Sequence, residues 1–176
     1  MSPYEPCEDS YLLQKEVGKF AKGRCLDVGT GSGIQAVEAK KFSDDITAVD
    51  IDPDVIKYCT SKHKGINFIL SDLFEKVGGS FDLITFNAPY LPQDPEDVED
   101  IQVYGGPDGH EVTERFLIGA KEHLKKDGVI LLLISSFTTP QVVELILKGE
   151  GYSFEVIAKQ HVSFEDLLVY KIWRKN

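Results

Sequence analysis

Cysteine is scarce in this chain: Cys7, Cys25 and Cys59 are the three thiols in 176 residues. The number is odd and no Cys-x-x-Cys spacing occurs, which excludes a disulfide framework and a cysteine-based metal knuckle. All three read as reduced thiols, Cys25 and Cys59 in the core. The four histidines, His63, His110, His123 and His161, stand apart from one another with no ligand spacing, so no metal is expected. Basic charge is also low, with 19 Lys and Arg against 29 Asp and Glu and a net charge of −10. That balance disfavours a surface that follows nucleic-acid phosphates, where affinity comes from Lys and Arg. It suits a basic protein partner, or simple solubility. No apolar run approaches the roughly 18 residues of a membrane span, and the longest, 129–134, fits a buried strand. The opening Met1-Ser2-Pro3-Tyr4-Glu5 has neither the basic start nor the apolar stretch of a secretory signal. The expected compartment is therefore the cytoplasm, with no membrane partner. Repeats and low-complexity segments are absent.

What is present is an alternation of strand and helix patterns. The length predicts one domain over 1–176, large enough to bury a core without staples. An N-terminal helical segment, 1–22, carries a helix over 9–20. Strands are predicted over 24–28, 46–50, 67–70, 81–86 and 129–135. Helices are predicted over 33–42, over 53–62 with Pro53 in the first turn, and over 111–125. Thr139-Pro140 caps a further helix ending near 149 or 151. The last two strands, 153–159 and 167–173, are joined too closely for a parallel crossover and should be antiparallel. The result is an α/β fold: a seven-stranded, mostly parallel sheet with one antiparallel strand and helices on both faces. This is the Rossmann-like arrangement of class I methyltransferases rather than a plain dinucleotide-binding fold. The segment 89–109 holds Pro89, Pro92, Pro95 and Pro107 and five acidic residues between Asp94 and Asp100. It reads as a substrate-side loop.

Two motifs carry chemistry. Asp27-Val28-Gly29-Thr30-Gly31-Ser32-Gly33 follows the first strand. Glycines permit a tight turn and close approach of a ligand, and the following helix offers free N–H groups. A lone glycine turn is weak evidence, since dehydrogenases use similar loops. Here Asp27 sharpens it, because a carboxylate suits the cationic amino end of a methionine moiety and would repel a pyrophosphate. Asp50 ends the second strand, where an acid binds ribose hydroxyls. Asp72, after the third strand, can accept from an adenine amino group. Alone, each would read as a solvated strand-end aspartate; three at one rim point to a nucleotide-like cofactor. Ser10, Gly33, Ile51 and Leu73 complete the candidate cofactor contacts. The cofactor that fits is S-adenosylmethionine.

The second motif is Asn87-Ala88-Pro89-Tyr90, at the end of the fourth strand. The Asn87 side-chain oxygen and the Ala88 backbone oxygen can accept both N–H bonds of a primary amide or amino group. Those bonds strengthen as the nitrogen becomes tetrahedral and positive, which stabilises a transition state. Pro89 fixes the backbone and Tyr90 gives a flat wall for a planar group. The bland alternative is a strand-ending turn, where Asn, Pro and Tyr are common. Asn87, Ala88, Pro89 and Tyr90 are the candidate catalytic residues, with Asn87, Pro89 and Tyr90 also binding substrate and Asn87 also facing the cofactor.

These residues resemble the HemK/PrmC-type protein-glutamine methyltransferases of release factors, nearest the short archaeal and eukaryotic Mtq2-like branch. Tyr4-Glu5-Pro6-Cys7-Glu8-Asp9-Ser10 resembles that branch's Tyr-Glu-Pro-x-Glu-Asp-Thr/Ser. Asn87-Ala88-Pro89-Tyr90 resembles the family's Asn-Pro-Pro-Tyr. Gly105-Gly106-Pro107-Asp108-Gly109 with Arg115-Phe116 resembles the branch's Gly-Gly-x-x-Gly…Arg-Phe. Ala88 departs from the usual Pro, yet keeps the backbone carbonyl the chemistry needs. The bacterial members' N-terminal helical domain has no counterpart here, so recognition is expected to fall to loops such as 89–109 or to another subunit. The resemblance implies a release factor as substrate, methylated on the Gln amide of its Gly-Gly-Gln loop. It also implies a small zinc-binding activator subunit. Ile66-Asn67-Phe68-Ile69-Leu70, at a sheet edge in the family's strand order, lacks charge and proline and is the expected docking strand. The rival readings are an adenine-N6 methyltransferase on DNA or RNA, a protein-lysine methyltransferase, and a binding subunit that has lost catalysis.

Overall fold

The computed structural model describes residues 5–92 and 104–175. Tyr4 of the N-terminal motif and the acidic run 94–100 lie outside the described residues. Helix α1 (Glu8–Phe20) leads into β1 (Arg24–Val28), α2 (Ile34–Lys40), β2 (Asp45–Asp50), α3 (Pro53–Lys62), β3 (Asn67–Leu70) and β4 (Phe81–Asn87). Two short strands, β5 (Leu91–Pro92) and β6 (Tyr104–Gly106), pair with each other. Then come α4 (Glu111–His123), β7 (Leu124–Ser135), a 3-10 turn at Ser136–Thr138, α5 (Pro140–Gly149), β8 (Tyr152–Val162) and β9 (Glu165–Arg174). No helix among the described residues is long and apolar enough to cross a membrane.

The main sheet has seven strands in the order β3-β2-β1-β4-β7-β9-β8. β9 is antiparallel to both of its neighbours, β7 and β8. This is the class I methyltransferase fold the strand pattern predicts, with β9 as its antiparallel strand. Alternate residues of the central strands feed two cores. Ile130, Leu132 and Ile134 of β7 join Phe116 and Leu117 of α4 and Val143 and Leu147 of α5 on one face. Leu131 and Leu133 join Leu12, Leu13 and Val17 of α1 and Ala36 of α2 on the other. A strand buried on both faces has no reason to alternate apolar with polar residues, which is why 129–134 reads as one apolar run. Each such side chain contributes roughly 1.5–3 kcal/mol by leaving water.

Element ends follow local chemistry. Asp52 caps α3 by accepting from the Asp54 amide at 2.8 Å, with Pro53 in the first turn. β7 begins at Leu124, not 129, because Leu124 pairs with Phe81 ahead of a register shift in β4. The polar Lys125-Lys126-Asp127-Gly128 hides that start in the sequence.

β3 lies at the sheet edge. Its Phe68 and Ile69 pack against opposite cores, while Asn67 and Leu70 are exposed. The Ser71 amide donates to the Asp50 carbonyl of β2 at 2.9 Å. Successive amides of a strand point to opposite sides, so the Leu70 N–H faces away from β2, along the open edge.

Candidate active site

Parallel strands β1, β2, β3 and β4 end at one rim, and the strand order reverses between β1 and β4. That switch point opens a crevice outside the carboxyl ends of the strands. A cavity of about 390 Å³ occupies it. Every cofactor and catalytic residue singled out in the sequence except Gly33 lines it: Ser10, Asp27, Gly29, Gly31, Asp50, Ile51, Asp72, Leu73, Asn87, Ala88, Pro89 and Tyr90. Gly33 stands just behind, at the N-cap of α2.

The glycine turn is held from below. Gly29 and Gly31 have φ of 61° and 51°, a region open to glycine at little cost. A side chain at Gly29 would also meet the Phe86 ring at 3.1 Å. The Thr30 amide donates to the Val49 carbonyl at 2.9 Å. The Gly31 amide donates to Asp50 Oδ2 at 2.9 Å, and Asp50 Oδ1 accepts from the Asp52 amide at 3.0 Å. Burial pushes the Asp50 carboxyl up from its usual range despite these bonds.

Asp27 differs from the sequence expectation in detail. It is 2% exposed, and its two oxygens accept from the Thr30 hydroxyl at 2.7 Å and the Thr85 hydroxyl at 2.8 Å. Burial raises its pKa from 3.8 to about 6. Its carboxylate braces the turn against β4. Asp72 lines the crevice with one oxygen already taken, since Arg115 donates to its Oδ2 at 2.8 Å. Leu73 beside it has a positive φ of 45°, a costly conformation for a branched side chain that here presents the residue to the cavity. Ile51, 56% exposed, leaves an apolar face bare at the rim.

Asn87 ends β4. Its amide nitrogen donates to Asp9 Oδ2 at 2.9 Å, and Asp9 Oδ1 accepts from the Ser10 amide at 2.6 Å. A carboxylate only accepts, so Asp9 fixes which end of the Asn87 amide is oxygen. That oxygen, Oδ1, is buried with no hydrogen-bond partner among the described residues. An orphaned buried acceptor costs about 1–3 kcal/mol. Tyr90 is half-buried, and its phenol is pushed up by burial first and by Glu165 and Asp9 second. It therefore stays a neutral wall rather than a base.

The Ala88 amide is in use, donating to the Leu133 carbonyl at 3.3 Å. A proline there would lose that bond, which the sequence alone does not reveal. Sequence reasoning also missed Asp9 as the anchor of Asn87, although it lies inside the Glu8-Asp9-Ser10 motif. Thr85 and Gln35 were missed as well; nothing in the chain marks either as part of a site.

Comparison with known proteins agrees with this geometry. Residues 8–162 match the methyltransferase small domain family. A protein of Methanocaldococcus jannaschii bearing the name of a protein N5-glutamine methyltransferase is 39% identical over 180 residues, covering 97% of this chain and 91% of that one. A release factor glutamine methyltransferase of Deinococcus radiodurans is 29% identical over 83% of this chain, which spans 57% of that protein. Among solved structures, a chain of the E. cuniculi Mtq2–Trm112 complex, responsible for methylation of the termination factor eRF1, superposes with a TM-score of 0.81. It is 25% identical, and the match covers 99% of this chain and 100% of that one. With the family matched along most of its length and the fold's crevice at the expected switch point, this chain belongs to the methyltransferase small domain family.

Proposed function

We propose that this chain methylates the side-chain amide nitrogen of the Gln in the Gly-Gly-Gln loop of a class I release factor, with S-adenosylmethionine as methyl donor. The observation that carries this reading is the Asn87 amide, in the lining of the crevice, locked by Asp9 with its oxygen unpaired among the described residues. The crevice residues fit the cofactor. Asp50 can accept from ribose hydroxyls, Ile51 and Leu73 can flank the adenine, and Asp72 retains an oxygen for its amino group. Ser10 and the Gly29 to Gly33 turn lie where the amino-acid end would sit. When bound, the cofactor supplies a positively charged sulfonium methyl, for which a rim rich in Asp is a favourable surrounding.

An amide nitrogen is a poor nucleophile because its lone pair is delocalised. As that pair turns toward the methyl carbon, its two N–H bonds become stronger donors. Asn87 Oδ1 and the Ala88 carbonyl are the acceptors for them, fixed before the reaction and stronger partners in the transition state than in the ground state. Tyr90 and Pro89 hold the planar amide in line. The positive charge passes from the sulfonium to the amide nitrogen and leaves with one of its two protons, strongly acidified once the nitrogen is alkylated and released to water. Orientation and exclusion of water during transfer therefore matter more than a strong base.

The proposal includes a small zinc-binding activator subunit, seated on the open edge of β3. The edge position of β3 and the structural match to a complex containing Trm112 support it. The test is to incubate the purified chain, with and without such a subunit, with labelled cofactor and three acceptors: a release factor, a histone and a DNA or RNA oligonucleotide. Label on the release factor alone, lost when its loop Gln is replaced, is the expected outcome. Label on the histone or the oligonucleotide instead would overturn the glutamine reading in favour of lysine or adenine.

A further inference from the structure

Gln35 is 4% exposed and lines the crevice from the first turn of α2. Its amide nitrogen donates to the Ser10 carbonyl at 2.9 Å. A carbonyl only accepts, so this bond fixes the amide's orientation. The opposite end, Oε1, is then buried and has no partner among the described residues. Buried side-chain acceptors nearly always find a donor, and the residue that carries this one lines the ligand crevice.

Its neighbours narrow the donor. Asp27, the acid the glycine motif offers to an ammonium group, already accepts from two hydroxyls. Asp50 accepts from backbone amides with one lone pair on each oxygen and keeps the others for the ribose hydroxyls. Asn87 Oδ1 is the acceptor for the substrate nitrogen. Gln35 Oε1 remains, two residues beyond Gly33 and bonded to the α1 turn that holds Ser10. We propose that Gln35 binds the amino-acid end of the cofactor, its Oε1 accepting a hydrogen bond from the α-ammonium group; this rests on the cofactor reading above. The same side chain is one link in a series. Gln35 holds the Ser10 carbonyl, the Ser10 amide holds Asp9, and Asp9 holds Asn87. The residue that receives the cofactor's amine thereby also steadies the turn that orients the reacting centre.

Two ligands separate direct contact from a structural role. S-adenosylhomocysteine carries the amino-acid end; 5′-methylthioadenosine keeps the adenosine and the sulfur but lacks it. Calorimetric titration of wild type, Gln35→Leu and Gln35→Glu with both ligands is the experiment. Gln35→Leu should bind S-adenosylhomocysteine about 10- to 100-fold more weakly and 5′-methylthioadenosine within about twofold of wild type, the span of one hydrogen bond to a charged group. Gln35→Glu, which keeps an acceptor, should retain the wild-type preference for S-adenosylhomocysteine over 5′-methylthioadenosine. Equal losses for both ligands, or an unchanged preference in Gln35→Leu, would overturn the assignment. Wild-type protein that binds neither ligand would instead overturn the cofactor reading itself.

Discussion

The amide nitrogen of Asn87 lies 2.9 Å from the Asp9 carboxylate, across 78 positions of sequence. One residue ends the fourth strand, and the other sits in the first turn of the N-terminal helix. Their bond ties that helix to the candidate site.

Asn87→Ala should therefore reduce single-turnover methylation at saturating cofactor by about 10²–10³, the scale of removing one preorganised contact to a transition state. Cofactor affinity should hardly change. Asp9→Ala leaves the Asn87 amide in place but free to rotate, and should cost about 10–10² in the same assay. Wild-type rates in both variants would reduce the tetrapeptide to a strand-ending turn.

The glycine turn depends on Asp50, which accepts from Gly31 and Asp52 and is the proposed ribose acceptor. Asp50→Ala should weaken S-adenosylmethionine binding by roughly 1.5–3 kcal/mol. An unchanged dissociation constant in a calorimetric titration would remove Asp50 from the site.

The elements and the rim were legible in the sequence because each rests on local chemistry. β1, α3 and β3 run as their patterns predict, and Pro53, the glycines and the strand-end acids announce themselves. What stayed hidden is what two distant segments do to each other. Nothing near Asp27 says that Thr85 will meet its second oxygen, or that burial will carry its pKa from 3.8 to about 6. Nothing near Ala88 says that its N–H will be taken by Leu133. The antiparallel pairing of β8 and β9 follows from their short connection. The insertion of β9 between β7 and β8 does not, because a hairpin can join a sheet by either strand.

Ala88→Pro tests one of those hidden contacts. It restores the family's usual tetrapeptide and keeps the carbonyl, so the methylation rate should hold. It removes the N–H that Leu133 accepts and should lower stability by about 0.5–1.5 kcal/mol in denaturant unfolding. No loss of stability would show that this 3.3 Å bond contributes nothing.

Asp27 gives a pH signature. Its folded pKa, about 6, lies above its ordinary value of 3.8 because burial disfavours the charge. The folded state thus holds the proton more tightly than the unfolded state does. The stability this contributes is complete below about pH 4 and is lost as pH rises through about 6. Asp27→Asn can still bond both threonine hydroxyls and carries no charge to desolvate. Relative to wild type it should gain about 1–3 kcal/mol at pH 7 and nothing at pH 4. Urea midpoints at the two pH values measure this, and an equal gain at both would dissociate the effect from titration.

The open edge of β3 makes the last prediction the most direct probe of a partner. Phe68 and Ile69 face the two cores, so charging either would test the fold as much as the interface. Leu70 is different. It is 39% exposed, and its N–H points away from β2. Proline at an edge strand's outward position removes a donor that the sheet itself does not use. Leu70→Pro should leave the chain folded, with an unfolding midpoint near wild type. If a second subunit adds a strand here, it should abolish co-purification with that subunit, because main-chain hydrogen bonds carry such pairing. Wild-type chain that is monodisperse and fully active alone would count against a required partner. A Leu70→Pro chain that still co-purifies would move the interface away from β3.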